Sequence, residues 1–210
     1  IGSSGVEYAL LAEWQRLGLV ERPPTFSNPN PVERIAVVSG SCSETTARQI
    51  RYAEKHGFTA LRADASRLAN DTLASTELDA VRSKALAALA KGSSVVIYTA
   101  LGPDSSLTSL QDNSTANAIG RRLGSLLRDL VRAEQLTRVL VAGGDTSSHA
   151  IQKLGIHALT TLMPLLQTPG SPLCTAHSSD PDFDGLQVAF KGGQVGDDAF
   201  IVRIRDAGTD

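Results

Sequence analysis

The stretch VLVAGGDTSS occupies positions 139–148 and joins two local patterns. Its first four residues are continuously apolar, which is typical of a strand buried on both faces of a sheet. Two glycines and several small hydroxyl residues follow, and a helical pattern begins among them. A strand that passes through a glycine loop into a helix is the repeating unit of parallel α/β sheets. The stretch therefore predicts an α/β fold.

The same pattern occurs at IAVVSGSCS (35–43) and at QVAFKGGQVG (187–196). Between the first two copies, short apolar runs alternate with amphipathic helical patterns, such as the one over 44–56 that Gly57 ends. The segments around 158–162, 173 and 186–190 follow one another too closely for crossover helices, and a last helix is predicted over 197–205. We therefore expect a three-layer α/β/α arrangement around a parallel-to-mixed central sheet.

Proline content divides the chain. Apolar residues at helical spacing predict a helix within residues 1–20, and four prolines make residues 21–33 a stiff linker that cannot be helical. Residues 34–210 then form the main domain. The sequence opens on Ile1 and its only methionine is Met163, so we expect a fragment or a processed chain.

Composition disfavours several classes of function. The 20 Lys and Arg nearly balance the 22 Asp and Glu, so the chain lacks the basic footprint of a nucleic-acid-binding protein. No apolar run approaches the ~20 residues that span a bilayer, and a membrane partner is not expected. Two cysteines, Cys42 and Cys174, form neither a disulfide framework nor a zinc cluster. The simplest interpretation is a reduced, cytoplasmic protein.

The helix around 119–131 carries arginines on one face, and we expect them to be solvated. They are Arg121, Arg122, Arg128 and Arg132.

The three glycine loops are the candidate functional site. In open α/β sheets ligands bind outside the carboxyl ends of the strands. Helix N-termini there offer free N–H groups and a partial positive charge, and glycines let a phosphate approach the backbone. The alternative is that each loop is only a turn with a helix cap, because Ser43, Asp145 and Asp197 are all good N-cap residues. The residues alone predict a phosphorylated ligand and leave its identity open.

Two charged residues in these loops have alternative roles. Asp145 would either cap its helix or hold Mg²⁺ beside bound phosphates. Lys191 would either place a charge on a phosphate or, as is commoner for a lone lysine at a strand end, be solvated.

Four motifs occur in an order that resembles a known family. They are residues 39–43 with Thr46 and Gln49, residues 142–148, residues 169–173, and residues 191–196 with Asp198 and Phe200. Together they resemble the four-carbon acid sugar kinases, over nearly the whole chain. Residues 2–6 also resemble the segment that opens the C-terminal half of that family.

The resemblance implies an ATP-dependent kinase with a Rossmann-like C-terminal nucleotide-binding domain. Such a kinase phosphorylates threonate, erythronate or a 3-oxo-tetronate at its terminal hydroxyl, with ATP and Mg²⁺. Residue by residue, Ser41 and Ser43 would contact the nucleotide. Gly143, Gly144, Asp145 and Thr146 would cradle its phosphates, and Gly193 and Gly196 would close over it. In the family, the sugar acid and the catalytic aspartate belong to an N-terminal domain. The resemblance implies that the helix within residues 1–20 leads in from such a domain, which is missing here. No catalytic residue is therefore assigned, and the chain alone should turn over no sugar acid.

Two other functions remain open at this point. One is a nucleotide-responsive binding or regulatory module without catalysis. The other is a dinucleotide-binding oxidoreductase domain, for which Asp64 lies at about the right distance after Ser43 to hold a ribose. A homo-oligomer is compatible with the sequence.

Overall fold

The computed structural model describes residues 4–21, 26, 28–103, 113–165, 168 and 170–208. The first residues of the glycine segment at 2–6, the prolines at 23 and 24, and Pro169 of the third motif lie outside the described residues.

Seven helices and seven strands make up the described fold. The helices are α1 (Ser4–Arg16), α2 (Glu44–Lys55), α3 (Ala65–Ala69), α4 (Ala74–Leu89), α5 (Asn113–Glu134), α6 (Gly144–Lys153) and α7 (Phe200–Asp206). The strands are β1 (Ala36–Ser39), β2 (Phe58–Arg62), β3 (Ser94–Tyr98), β4 (Arg138–Ala142), β5 (Ile156–Met163), β6 (Leu173–Ser178) and β7 (Gln187–Lys191). The predicted α/β class is confirmed.

The strands form one sheet in the order β2-β3-β1-β4-β7-β6-β5. The pairs from β2 to β7 are parallel, whereas β6 runs antiparallel to both β7 and β5. This agrees with the predicted parallel-to-mixed sheet. The reversal at β6 follows from the short connections in the last third of the chain, because a parallel pair would need a long crossover there.

Two hydrophobic cores lie on opposite faces of the sheet. One core joins alternate β1 residues such as Val38 to α3, α4, α5 and α6, with Leu68, Leu123 and Ala150 buried in it. The other joins Val37 and its neighbours to α2 and α7. Helix α2 after β1 and helix α6 after β4 thus cover opposite faces, although β1 and β4 are neighbours. Adjacent strands whose chains leave toward opposite faces define the crevice in which open α/β sheets bind ligands.

Two helices differ from the predictions. Helix α3, which was not predicted, follows β2, and it begins because the Asp64 carboxylate accepts from the backbone N–H groups of Ser66 and Arg67 at 2.9 and 3.1 Å. Helix α7 begins at Phe200 rather than at Asp197. Residues 197–199 precede the helix, and the Asp197 carbonyl accepts a hydrogen bond from the Gln49 side chain.

The arginine face of α5 is held by ion pairs rather than simply solvated. Arg122 pairs with Asp71 and also donates to the Leu68 carbonyl. Arg132 bonds the Asp182 carboxylate at 2.8 Å and lies over the buried ring of Phe183, 5.2 Å from its centroid. The carboxylates come from loops far along the chain, so spacing within the helix could not reveal them.

Candidate functional site

The three glycine loops leave the sheet side by side. In the strand register, Ser39 lies opposite Ala142, and Ala142 lies opposite Lys191. The pairing continues into the loops, because the N–H of Gly40 donates to the Ala142 carbonyl at 3.1 Å and that of Gly143 to the Lys191 carbonyl at 2.9 Å. The carboxyl ends of β1, β4 and β7 therefore form one continuous floor.

Serine hydroxyl groups of the first loop accept hydrogen bonds from backbone N–H groups of the same segment. Ser43 is the N-cap of α2, as predicted, and its Oγ accepts from the Thr46 N–H at 3.1 Å. The Oγ of the buried Ser41 accepts from the Ser43 N–H at 3.2 Å. The two serines proposed to contact a nucleotide thus already shape the loop that would receive it.

The second loop corrects the expected role of Asp145. Gly143 is the N-cap of α6, with φ of 111°, a backbone conformation that favours glycine. Asp145 is therefore the second residue of the helix and does not cap it; its side chain is exposed in the first turn. Thr146 faces inward and is buried. An acidic residue in the first turn still suits the helix dipole.

The third loop is fastened to the start of α2. The Gly193 carbonyl accepts from the hydroxyl groups of Ser43 and of Thr46, the latter at 2.9 Å. The amide of the buried Gln49 donates to the carbonyls of Val195 and Asp197 at 3.0 and 2.8 Å. Helix α2 therefore positions both the first loop, which it follows, and the third loop, which lies about 150 residues further along the chain.

Asp197 does not cap α7, contrary to the prediction. The N-cap is Ala199, and the Asp197 carboxylate pairs with Arg203 at 2.8 Å. Its carbonyl is engaged by Gln49. Gly196 is closely packed against Gln49. Its φ is 89°, and a Cβ there would lie 3.0 Å from the Gln49 amide nitrogen.

Lys191 is buried, contrary to the expectation of a solvated lysine. Only 2 % of its surface is exposed, and its Nζ donates to Thr46 Oγ1 at 2.9 Å and to the Gly193 carbonyl at 3.4 Å. Burial lowers the pKa of this ammonium to about 8, because a charge loses solvation in the interior. Reasoning from the residues left a phosphate contact open for Lys191, and it gave no role of their own to Thr46 and Gln49, which belong to the first motif of the resemblance. The available signal was polar side chains at buried positions of α2 and β7.

Several glycines allow close contact between loops. A Cβ on Gly40 would collide with Thr146 Oγ1, and one on Gly193 would lie 2.7 Å from Ser41 Oγ. Gly144 differs, since a Cβ there would meet nothing within 4 Å, and the residue is exposed at the first turn of α6. Gly144 is thus the glycine of this loop that faces open space at a helix N-terminus.

The ribose-binding role considered for Asp64 does not suit this geometry. Its carboxylate caps α3, and β2, which precedes it, is separated from β1 by β3. The acidic residue therefore lies one strand away from the first glycine loop.

The domain has an open sheet, helices on opposite faces after the neighbouring strands β1 and β4, and adjoining glycine loops. These features define an α/β domain of the class that binds phosphorylated ligands at the carboxyl edge of the sheet. The model of a family described as "Nucleotide-binding C-terminal domain" matches residues 36–201. The chain belongs to this family, and the resemblance to the four-carbon acid sugar kinases is confirmed.

Curated relatives carry kinase names. The chain is 41 % identical over 214 residues to a 3-oxo-isoapionate kinase of Paraburkholderia graminis. This alignment covers 97 % of the present chain and 45 % of the relative. It is 28 % identical over 204 residues to a 3-oxo-tetronate kinase of Salmonella typhimurium, covering 96 % of this chain and 46 % of that one. The chain therefore spans about half the length of these relatives.

Solved structures of low sequence identity share the fold. A DUF1537 protein of Haemophilus influenzae superposes with a TM-score of 0.67 at 21 % identity, over 91 % of this chain and 43 % of that chain. A DUF1537 domain of Bordetella bronchiseptica, described as a domain-swapped dimer with bound citrate, superposes with a TM-score of 0.66 at 22 % identity, over 83 % and 40 %. Within the described ranges of the present chain, no helix combines the length and apolar character needed to cross a membrane.

Proposed function

We propose that this chain is the ATP-binding half of a kinase that phosphorylates a four-carbon acid sugar, or its 3-oxo relative, at the terminal hydroxyl. The observation that carries the proposal is the register of Ser39, Ala142 and Lys191, which brings three glycine loops to one floor. Phosphoryl transfer depends mainly on positioning and on stabilising charge. One domain can therefore hold the nucleotide while another presents the hydroxyl.

The loops divide the nucleotide between them in this proposal. The β- and γ-phosphates lie at the N-terminus of α6, where Gly144, Asp145 and Thr146 supply backbone N–H groups and Gly143 forms the turn beside them. The exposed position of Gly144 supports this placement. Ser41 and Ser43 contact the nucleotide from the first loop, while Gly193 and Gly196 close over it from the third.

Mg²⁺ fits the site only together with the phosphates. Among the residues that the structure describes, no group of three or more His, Cys, Asp or Glu side chains is arranged to hold a metal ion. Mg²⁺ is commonly bound through one or two carboxylates plus substrate phosphates. The exposed Asp145 beside the α6 N-terminus would supply that carboxylate, and the ion would neutralise charge on the transferring phosphoryl group.

The sugar acid and the catalytic base would come from the part of the protein that relatives have in addition to this segment. The relative at 41 % identity is named for a 3-oxo acid, as are those at 28–30 %. This shared feature favours a 3-oxo acid sugar as the substrate class. A homo-oligomer remains a prediction.

Isothermal titration calorimetry with Mg-ATP tests the nucleotide half of the proposal. We expect saturable binding, and NADH should not compete with it; absence of heat at millimolar Mg-ATP would overturn the proposal. A coupled ADP-release assay with threonate or a 3-oxo-tetronate tests the division of labour. This chain alone should give no turnover above the rate without sugar acid, and robust turnover would show that it holds its own catalytic base.

A further inference from the structure

Lys191 carries a positive charge into the site without an acidic hydrogen-bond partner. Its ammonium has three N–H donors, and its two bonds reach the neutral oxygens Thr46 Oγ1 and Gly193 O, at 2.9 and 3.4 Å. At 2 % exposure the side chain is also withdrawn from water. A charge in this situation is costly unless something compensates it.

Among the residues that the structure describes, the acidic groups on the elements around Lys191 are paired elsewhere or exposed. Three of them pair with arginines: Asp197 with Arg203, Asp198 with Arg48, and Glu44 with Arg51. Asp145 on α6 is exposed. Burial is accordingly the cause of the lowered pKa of Lys191, about 8. The first loop also carries the partly buried thiol of Cys42, which offers a control position.

The Lys191 ammonium lies at the floor formed by the carboxyl ends of β1, β4 and β7, where a phosphate would bind. Lys191 is the last residue of β7 and pairs in register with Ala142, directly before the Gly143–Gly144 loop. Its Nζ also bonds Thr46, which lies in the first turn of α2, and the carbonyl of Gly193, which belongs to the third loop. The charge thus lies between the start of α2 and the third loop, on the strand next to the one that leads into the second loop.

We propose that the Lys191 ammonium is the fixed positive charge that the phosphates of the bound nucleotide neutralise, acting from behind the glycine loops. The inference rests on the proposed function, because it assigns the charge partner of the same nucleotide. The competing explanation is that Lys191 only anchors Gly193. A mere anchor would not change its protonation when nucleotide binds, whereas a charge partner would.

Proton uptake on binding distinguishes these roles without any substitution. Mg-ATP is titrated into the protein at pH 8.5 in buffers of different ionisation enthalpy, and the protons taken up are obtained from the slope of the binding heat. A nearby anion raises the pKa of a lysine, so we expect uptake of a sizeable fraction of one proton at pH 8.5 and almost none at pH 6.5. ATP itself is fully ionised at the higher pH, since phosphate monoesters have a second pKa of about 6.

Variants assign the proton to its residue. Lys191→Met should abolish the uptake and weaken Mg-ATP binding about 10- to 100-fold, the range expected for a charged contact in a partly buried site. Lys91→Met, at an exposed turn at the amino end of β3, removes the same charge elsewhere and should match the unmodified protein. Cys42→Ser should retain the uptake.

The possible failures are separable. If the unmodified protein binds no Mg-ATP, both the proposed function and this inference are overturned. If it binds without proton uptake at pH 8.5, or if Lys191→Met retains the uptake, the inference alone is wrong and nucleotide binding stands.

Discussion

At the scale of single residues, the first and second glycine loops contain two kinds of glycine that substitution can separate. A Cβ on Gly40 would collide with the hydroxyl of the buried Thr146, whereas a Cβ on Gly144 would enter open space. Gly40→Ala should therefore lower the free energy of unfolding by about 1–3 kcal/mol, the usual cost of overpacking. Gly144→Ala should leave stability unchanged or slightly raised, because alanine is the better residue in a helix.

Gly144→Ala should weaken nucleotide binding even though it leaves the stability of the protein unchanged or slightly raised. If a phosphate approaches the α6 N-terminus, the new methyl group occupies its path, and we expect about tenfold weaker Mg-ATP binding, equivalent to ~1.4 kcal/mol. Urea unfolding and calorimetry on the two variants measure both effects. A Gly144→Ala protein of normal stability and unchanged affinity would place the phosphates elsewhere.

At the scale of secondary-structure elements, a buried arginine secures the C-terminal end of α7. Arg138 on β4 donates to the carbonyls of Ile204 and Arg205 at 3.0 and 2.8 Å, and to that of Asn30 at 2.8 Å. A cation at a helix C-terminus complements both the dipole and the unpaired carbonyls. Burial lowers the pKa of Arg138 from its usual high value, yet an arginine remains charged in proteins.

Arg138→Met should therefore destabilise the domain by about 2–4 kcal/mol, because several buried carbonyls lose their donor at once. Arg16→Met is the matched control. Arg16 pairs with Glu13 on the exposed surface of α1, where such pairs contribute little to stability. Equal urea midpoints for the two variants would contradict the capping role.

The sequence was informative about elements and less so about their neighbours. Helical spacing predicted α2 and α5, and the glycine loops predicted the ends of β1, β4 and β7, since both signals are local. The burial of Lys191 depends on β7 lying between β4 and β6, a pairing between strands distant in sequence. For the same reason, the ties from Gln49 to Val195 and Asp197 could not be read from either segment alone.

At the scale of the whole molecule, α1 stands apart from the two cores. Its helical spacing was predicted correctly, yet its apolar side chains are exposed rather than packed. They are Val6, Tyr8, Leu10, Leu11 and Trp14, followed by Leu17 and Leu19 beyond the helix. The linker joins the main domain later, where the N–H of Val32 donates to the Arg205 carbonyl at 3.0 Å. The division into residues 1–20, 21–33 and 34–210 thus remains a prediction that stability can test.

A chain shortened to residues 21–210 should unfold at the same urea concentration as the full sequence, because it loses little buried apolar area. The contact between Val32 and Arg205 and the bond from Arg138 to Asn30 are retained in it. Leu68→Ala, at a fully buried position, shows that the measurement is sensitive, since such a substitution costs about 2–5 kcal/mol. If removing residues 1–20 lowered the free energy of unfolding by more than about 1 kcal/mol, α1 would have to be counted as part of the nucleotide-binding domain rather than as an element that leads into it.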